Sequence, residues 1–229
     1  MGQKIKPKGF RIGLNDLWLN EGQCYGKKFK NPKRLVKETG NTSEFFKQYL
    51  ESKTLVKGQI NQKNFKDSLC YNVHYTPTLP NINPYINNIT IKVSRIFCKT
   101  IYIRSYNTTL WYQNGTLLCE FIKNSLKKGI VFRKIVITIK RLLALTPPHT
   151  IVIKTLSGTK LLKYTGLKIR YAGRFGSSRS RMANSLVYLI GAVSLQKIET
   201  HIEFHESLLY TKQGICNLQV WMAYKIIPI

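Results

Sequence analysis

Three side chains near the carboxyl end, His201, Glu203 and His205, alternate with apolar residues. Side chains on a β-strand repeat every two residues, so all three would share one face. Two imidazoles and a carboxylate suit iron or zinc, but alternate side chains of a strand stand about 7 Å apart. The order is also not the His-Glu-x-x-His of metalloproteases. We therefore favour a solvated or partner-facing strand surface and predict no metal and no other cofactor.

Other catalytic arrangements are missing from the sequence. Neither of the glycine-rich loops that cradle nucleotide phosphates, GxxxxGK[ST] and GxGxxG, occurs. Ser94, Ser177 and Ser178 have no neighbouring His and Asp that would activate a nucleophile. Between residues 121 and 198, His149 is the only side chain suited to general acid–base catalysis. The sequence predicts a protein that is not an enzyme.

The basic side chains carry most of the information. The 229 residues include 37 Lys and Arg against 10 Asp and Glu, a net charge of +27. Residues 121–198 hold 16 of the cations and no carboxylate, so ion pairs within that stretch are excluded. A compact chain with this charge repels itself until a partner neutralises it. Nucleic acid is the commonest such partner, and an anionic membrane surface is the alternative.

The cations of the second half form two clusters. Arginine grips phosphate with two parallel hydrogen bonds, and the interleaved Phe132, Tyr171 and Phe175 are able to stack on exposed bases. A single basic run is usually a solvated face, but two runs in an acid-free stretch favour RNA. The first cluster comprises Lys127, Lys128, Arg133, Lys134, Lys140 and Arg141, and the second comprises Lys168, Arg170, Arg174, Arg179 and Arg181.

The elements that would position these clusters form an α+β pattern with a mostly antiparallel sheet. In the first half, residues 41–51 predict a helix capped by Thr42 or Ser43, and residues 67–88 predict a long loop. Ile89, Ile91 and Val93 alternate with polar residues, which predicts a strand, as does the alternation over 99–106.

In the second half, residues 116–128 predict a helix, and 130–145 a second helix, although its β-branched residues also permit a strand. Strands follow at 149–155, 166–172 and 198–205, and a hairpin turn at 212–214 leads into a last strand. Ser177 would cap a short helix that carries Arg179 and Arg181.

We predict three regions: a basic, extended amino-terminal arm over 1–40, a domain over 41–128 with a loop-rich segment at 52–88, and a carboxyl-terminal domain over 129–229. The five cysteines have no metal-site spacing and are expected to be reduced. The most apolar run, 185–195, is too short to span a bilayer. We expect neither a membrane protein nor an imported precursor.

Three motifs resemble the small-subunit ribosomal protein S-three family. The opening MGQKIKPKGFRIG resembles the family's MGQKxxPxGFRLG, and GLKIRYAGRFG at 166–176 resembles GxKVxxSGRLG. Near the end, TKQGICNLQVW at 211–221 is similar to TxYGxIGVKVW. The motifs stand in the family's order and together comprise 35 of the 229 residues, at both ends of the chain and between them, so the chain is identified as a member of this family.

This resemblance implies a constituent of the head of the small ribosomal subunit, with a type II KH domain in its first half. It implies contacts with small-subunit rRNA, with mRNA at the entry channel, and with proteins S-ten and S-fourteen, but with no membrane and no small-molecule substrate. The implied rRNA-binding residues are Lys4, Lys6, Lys8, Arg11, Lys168, Arg170, Arg174, Arg179 and Arg181. The implied channel residues are Arg133, Lys134, Lys140 and Arg141.

Two departures from the family's pattern stand out. In the channel stretch, Ile137 and Thr138 replace the second basic pair, so the unwinding of structured mRNA does not carry over. Val93 to Ile96 matches the entry to the first KH strand, and the counterpart of the GxxG loop is a degenerate Tyr112, Gln113, Asn114 and Gly115. A/T-rich codon usage, inferred from abundant Ile and Asn, predicts a mitochondrial protein, with a plastid as the alternative. The alternative function is a non-ribosomal RNA maturation factor or an RNA-acting enzyme.

Overall fold

A computed structural model describes residues 6–18, 20–22, 32–52, 56–65, 68–76, 83–97, 99–108, 110–146, 150–155, 157–174 and 182–227. The contacts divide the chain into two units. The terminal unit joins residues 1–17 to residues 112–229, and the central unit comprises residues 18–111. This division differs from the predicted regions, because the start of the arm joins the carboxyl-terminal half and the boundary lies at 111 instead of 128.

The central unit is a four-stranded sheet with two helices. The strands β1 (Asn20–Gly22), β2 (Val56–Asn64), β3 (Ser68–Thr76) and β4 (Thr100–Asn107) lie in that order, and only the β2–β3 pair is antiparallel. The helices are α2 (Pro32–Ser52) and α3 (Asn83–Phe97), which connects the parallel strands β3 and β4. Their buried side chains meet alternate residues of β3 in one core, formed by Phe46, Leu69, Tyr71, Val73, Ile89 and Val93.

Four local predictions for this unit are wrong. The predicted loop at 67–88 contains β3 and the start of α3, where Pro84 fits the first turn because that turn needs no backbone donor there. The strand predicted from Ile89, Ile91 and Val93, and the KH strand entry at 93–96, are both part of α3. Thr42 caps nothing, because α2 begins ten residues earlier and the Thr42 hydroxyl donates to the carbonyl of Glu38.

The terminal unit places its helices against one large sheet. The short α1 (Pro7–Arg11) contacts the edge strand β8, whereas α4 (Gly115–Lys127) packs on β8 and β9 and also contacts α5 (Phe132–Leu145). Leu117, Leu118 and Ile122 form the buried stripe of α4. Helices over 116–128 and 130–145 were predicted, and both predictions are confirmed.

The sheet of the terminal unit is antiparallel throughout. Its strands β5 (Thr150–Thr155), β6 (Gly158–Gly173), β9 (Gly214–Ile227) and β8 (Thr200–Thr211) lie in that order, and β7 (Asn184–Gly191) pairs with the second half of β6. One face, which we call the inner face, carries the buried Leu167, Ile169 and Tyr171 of β6. The opposite, outer face carries Lys168 and Arg170 together with Phe204 and Trp221.

The α+β class and the mostly antiparallel sheet of the carboxyl-terminal half are therefore confirmed. The arm predicted as extended over 1–40 is helical where it is described between Pro7 and Arg11 and from Pro32 onward. The loop-rich segment at 52–88 instead contains the β2–β3 hairpin. No helix within the described ranges is long and apolar enough to cross a membrane.

Candidate nucleic-acid interface

The four predicted channel residues lie together on one side of α5. Phe132, Ile135, Val136 and Ile139 bury the opposite side against the unit. At 3.6 residues per turn, the four cations occupy about a third of the helix circumference. Ile137 lies between them and is 44% exposed, so an apolar side chain divides this cationic face of α5. Its members, all exposed, are Arg133, Lys134, Lys140 and Arg141.

The first turn of α5 carries positive side chains, whereas helices usually favour acidic residues there. Arg133 and Lys134 follow Val131, whose side chain makes no capping hydrogen bond, and no acidic residue stands in that turn. The amino end of a helix carries partial positive charge, so cations there oppose the helix dipole. An anion bound to this turn would relieve that repulsion, and phosphate has the right charge.

The second predicted cluster is centred on the outer face of the sheet. Arg170 is exposed, and the ammonium group of Lys168 lies 5.2 Å from the centre of the Trp221 ring. Arg174 is exposed just beyond the end of β6, while Arg179 and Arg181 lie outside the described residues. Because α5 packs on the inner face, where Phe132 contacts Tyr171, the structure does not join the two clusters into one patch.

A pocket of about 520 Å³ opens on this outer face. It brings Lys6 of the arm beside Lys168 and Arg170, although these residues are far apart in sequence. Glu206 also lines it and lies 3.4 Å from the Lys6 ammonium group. Hydrogen bonds from Asn217, Gln219 and Lys6 lower the pKa of Glu206, so it stays ionised. The pocket therefore carries three cations and one ionised carboxylate, which is paired with Lys6.

Trp221 and Phe204, which line the same pocket, were not predicted as site residues. Their ring centres are 5.3 Å apart across neighbouring strands. The alternation along β8 and β9 is visible in the sequence, but the strand register that pairs these two side chains is not. Both rings are only 9% exposed, so they form the floor of the pocket and not a stacking surface.

Arg11 differs from the other predicted rRNA-binding residues because its side chain is fully buried. Its guanidinium group donates to the carbonyls of Thr200 at 2.7 Å, Leu195 at 2.9 Å and Lys197 at 2.7 Å. Arg11 thus fastens α1 to the segment that leads into β8. Lys8 is half-buried and Lys6 is exposed, whereas Lys4 lies outside the described residues.

The predicted KH loop is the start of a helix. Tyr112 is buried in a short 3-10 helix over Trp111–Gln113, and the side chain of Asn114 caps α4 by accepting from the amides of Thr116 and Leu117. Gly115 is also buried, and its amide donates to a carboxylate oxygen of Glu203 at 3.1 Å. The segment packs inside the terminal unit and is not shaped as a loop that clamps a nucleic acid.

His201, Glu203 and His205 face inward, toward α4 and the amino-terminal segment, and not toward solvent. His201 Nδ1 lies 2.7 Å from Asp16 Oδ1. Burial raises the pKa of Glu203, and burial together with Lys8 lowers the pKa of His205 to about 3. Among the described residues no group of three His, Cys, Asp or Glu side chains is arranged to hold a metal ion. Glu203 and His205 therefore contact the start of α4, and His201 contacts the turn after α1, so the prediction of a solvated or partner-facing strand surface is wrong.

Three of the five cysteines are described, and all three are free thiols. Cys119 and Cys216 are buried, and burial raises the pKa of Cys119 to about 11. A thiol with so high a pKa remains protonated and unreactive at neutral pH.

No protein-family model matches the chain. Curated relatives nevertheless match it almost from end to end. The small ribosomal subunit protein uS3m of Chondrus crispus is 27% identical over 228 residues, which cover 98% of this chain and 94% of the relative. These end-to-end matches support a diverged member of the uS3 family. Its other relatives include uS3c of Emiliania huxleyi, 24% identical over 98% of this chain and 99% of the relative. The uS3 protein of Nitratiruptor sp. is 23% identical over 97% and 88%, respectively.

The resemblance inferred from three short motifs thus extends over about 98% of the chain. The match to the uS3m form confirms the prediction of a mitochondrial protein. Matches to uS3c forms, including that of Jasminum nudiflorum, correspond to the plastid alternative.

Proposed function

We propose that this protein is a structural constituent of the small-subunit head that binds rRNA and performs no catalysis. The observation that carries the proposal is the pair of cationic surfaces on opposite sides of the terminal unit, most of whose cations come from a stretch of 78 residues that has no carboxylate. Neither surface has enough anionic groups to neutralise its own cations. RNA phosphates would neutralise both, with release of condensed counterions.

The two surfaces suit different RNA contacts. The outer-face pocket with Lys6, Lys168 and Arg170 is concave and suits a fixed rRNA phosphate. The cationic face of α5 is open and convex, which suits a strand that moves past it, and we assign it to the mRNA entry channel. Because Ile137 interrupts that face, the assignment is to a channel lining and not to strand separation. Arg174 is placed with the rRNA contacts, and so are Lys4, Lys8, Arg179 and Arg181. Proteins S-ten and S-fourteen are the proposed protein neighbours.

Sedimentation of an organelle extract through a sucrose gradient tests this function. The protein is expected to sediment with the small subunit at low salt and to leave it in a high-salt wash. A protein that stays at the top of the gradient at low salt would instead support the alternative of a free RNA maturation factor.

A charge reversal on α5 separates RNA binding from folding. In the variant Arg133→Glu, Lys134→Glu, two acids replace two cations in the first helical turn. We expect fold stability to rise by roughly 0.5–2 kcal/mol, because each acid interacts favourably with the helix dipole. The affinity of the subunit for mRNA is expected to fall at least tenfold. Lys154→Glu on β5, an exposed lysine outside both surfaces, is the matched control. Equal effects of the two variants on mRNA affinity would refute the channel assignment.

A further inference from the structure

The sheet of the central unit has a second face that the proposed function does not use. Ile101 and Ile103 of β4 point to the core, beside Leu69, Tyr71 and Val73 of β3. The alternate residues point the opposite way, and there Tyr102 is 59% exposed and Tyr106 is 43% exposed. We call this surface the tyrosine face, and it comprises Lys63, Asn72, His74, Tyr102, Arg104 and Tyr106.

The strand register arranges these side chains in rows. Asn72 pairs with Arg104 and His74 with Tyr106 across the parallel β3–β4 ladder. Lys63 of β2 belongs to the row that ends at Tyr102. The strands β2, β3 and β4 contain no Asp or Glu at all. On these three strands the face therefore combines two exposed aromatic rings, two cations and an amide. The register places one carboxylate residue at its border, Glu21 of β1, in the row of Lys63 and away from Arg104.

One of the two rings is already held in place. The rings of His74 and Tyr106 stack with centres 5.1 Å apart and an interplanar angle of 22°. Burial lowers the pKa of His74, so the imidazole is neutral at physiological pH and the pair consists of two uncharged rings. A ring fixed before binding loses little conformational entropy when a ligand stacks on it.

We propose that the tyrosine face binds single-stranded RNA, with one base stacked on Tyr102 and another on Tyr106. Arg104 lies between them along β4, about 7 Å from either, and contacts the phosphates that link the stacked nucleotides. The amide of Asn72 beside Arg104 is placed to contact a base edge. Sheets that present aromatic and basic side chains together recognise unpaired bases in this manner.

The composition of the face favours single-stranded RNA over other occupants. In duplex RNA each base is stacked within the helix, so neither tyrosine would find an exposed base plane. Tyrosine and arginine also occur in protein interfaces, but the two cations and the lack of Asp and Glu on β2, β3 and β4 favour a polyanionic occupant. This proposal goes beyond the ribosomal role, because it concerns a different unit and contacts with unpaired bases, whereas the cationic surfaces are proposed to contact phosphates.

Fluorescence anisotropy with the full-length protein tests the proposal. The probes are a fluorescein-labelled uridine octamer and a labelled RNA duplex of the same length. Stacking is worth about 1–3 kcal/mol per base, so Tyr102→Ala, Tyr106→Ala is expected to weaken octamer binding at least tenfold. Its duplex affinity should change less than twofold. The salt dependence of octamer binding should stay the same, because no phosphate contact is removed.

Three further variants sharpen the result. Tyr102→Phe, Tyr106→Phe keeps both rings and should bind the octamer as the wild type does. Arg104→Gln should reduce the slope of log affinity against log salt by about 0.7. Tyr210→Ala removes a tyrosine of β8 that is 77% exposed and should leave octamer binding unchanged.

Circular dichroism checks that each variant is folded, and the fluorescence of Tyr102→Trp, with the wild-type signal subtracted, gives a direct readout. Quenching of that signal by the octamer supports stacking. An equal loss of octamer and duplex affinity in the double alanine variant, or no loss of either, would overturn the proposal. Neither result depends on sedimentation with the small subunit, so failure of this inference and failure of the ribosomal role are distinguishable.

Discussion

Arg11 shows how a single cation in a very basic chain can serve the fold instead of the ligand. Its guanidinium group donates to three carbonyls of the segment before and at the start of β8 and, at 3.2 Å, to the carbonyl of Pro7. Lysine cannot replace this fork of donors, because its ammonium group is a compact point charge. The contact joins residues that are 184 to 189 positions apart in the sequence.

Removal of this group is expected to destabilise the terminal unit. Arg11→Ala leaves several buried carbonyls without donors, so we expect unfolding free energy to fall by about 3 kcal/mol. Thermal unfolding should show Tm lower by roughly 6–12 °C. Lys6→Ala, which breaks only the exposed pair with Glu206, should cost less than about 1 kcal/mol. A similar small effect of Arg11→Ala would mean that its hydrogen bonds contribute little.

His205 gives the fold a pH dependence of predictable sign. The folded protein favours the neutral form of His205, because burial lowers the pKa of this residue from 6.5 to about 3. Between those values the unfolded chain binds a proton that the folded chain does not, so stability falls as pH drops. Burial raises the pKa of Glu203 above its ordinary value of 4.5, so above that pH Glu203 acts in the opposite direction, in the wild type and in a His205 variant alike. Lys8, Asp16 and His201 complete the set of neighbouring titratable groups.

The variant His205→Gln isolates this effect. Wild-type protein is expected to lose up to about 2 kcal/mol more stability than the variant between pH 7 and pH 5. Urea unfolding at both pH values measures the difference. Between pH 7 and pH 9 the two proteins should change in parallel, since His205 is neutral in both states there. If the two proteins also lost equal stability between pH 7 and pH 5, His205 would have to bind a proton as readily in the folded protein as in the unfolded chain.

At the scale of elements, the start of α4 decides what the Tyr112 to Gly115 segment does. If Asn114 serves as a cap, Asn114→Ala should lower stability by about 1 kcal/mol, and Asn114→Ser should restore it. Affinity for rRNA should be unchanged in both variants. If the segment instead works as a KH loop, Asn114→Ala would weaken RNA binding and leave stability nearly unaltered. Urea unfolding and RNA titration of the same samples separate the two roles.

The elements that the sequence predicts well are those with one unambiguous hydrophobic period. Along β6, Leu167, Ile169 and Tyr171 are buried while Arg170 is exposed, as their alternation predicts. The stripe of α4 is equally clear. In α3, apolar residues at 89, 91 and 93 fit the two-residue period of a strand, and 89 and 93 also fit the i, i+4 spacing of a helix. The helix buries Ile89 and Val93 but leaves Ile91 half exposed. Pattern alone could not choose between the two, because the deciding contact is with Phe46 of another element.

Long-range contacts account for what the sequence could not predict about the candidate site. The two basic clusters are visible as charge, and most of their described members are exposed as expected. Their separation onto opposite sides of a sheet depends on the orientation of α5, and the burial of Arg11 depends on a partner segment at the far end of the chain. The tyrosine face follows from the β3–β4 register, which the sequence does not reveal because α3 separates the two strands.

For the molecule as a whole, net charge sets two opposing responses to salt. Without RNA, the charge of +27 repels itself. Added salt screens that repulsion, since the Debye length shrinks from about 30 Å at 0.01 M to about 10 Å at 0.1 M. The free protein should therefore become more stable, with a rising Tm and less aggregation, as salt increases from 0.01 M to 0.1 M.

The complex should respond in the opposite way. Each phosphate contact releases a condensed counterion, so affinity for small-subunit rRNA should fall steeply and linearly on a log–log plot against salt. Titration of the protein with an rRNA fragment at several salt concentrations, alongside Tm measurements in the same buffers, records both responses. A flat affinity curve would contradict the electrostatic role of the cationic surfaces. A Tm that falls with salt would show that the free chain pairs its charges internally, and the carboxylate-free stretch leaves few groups for such pairing.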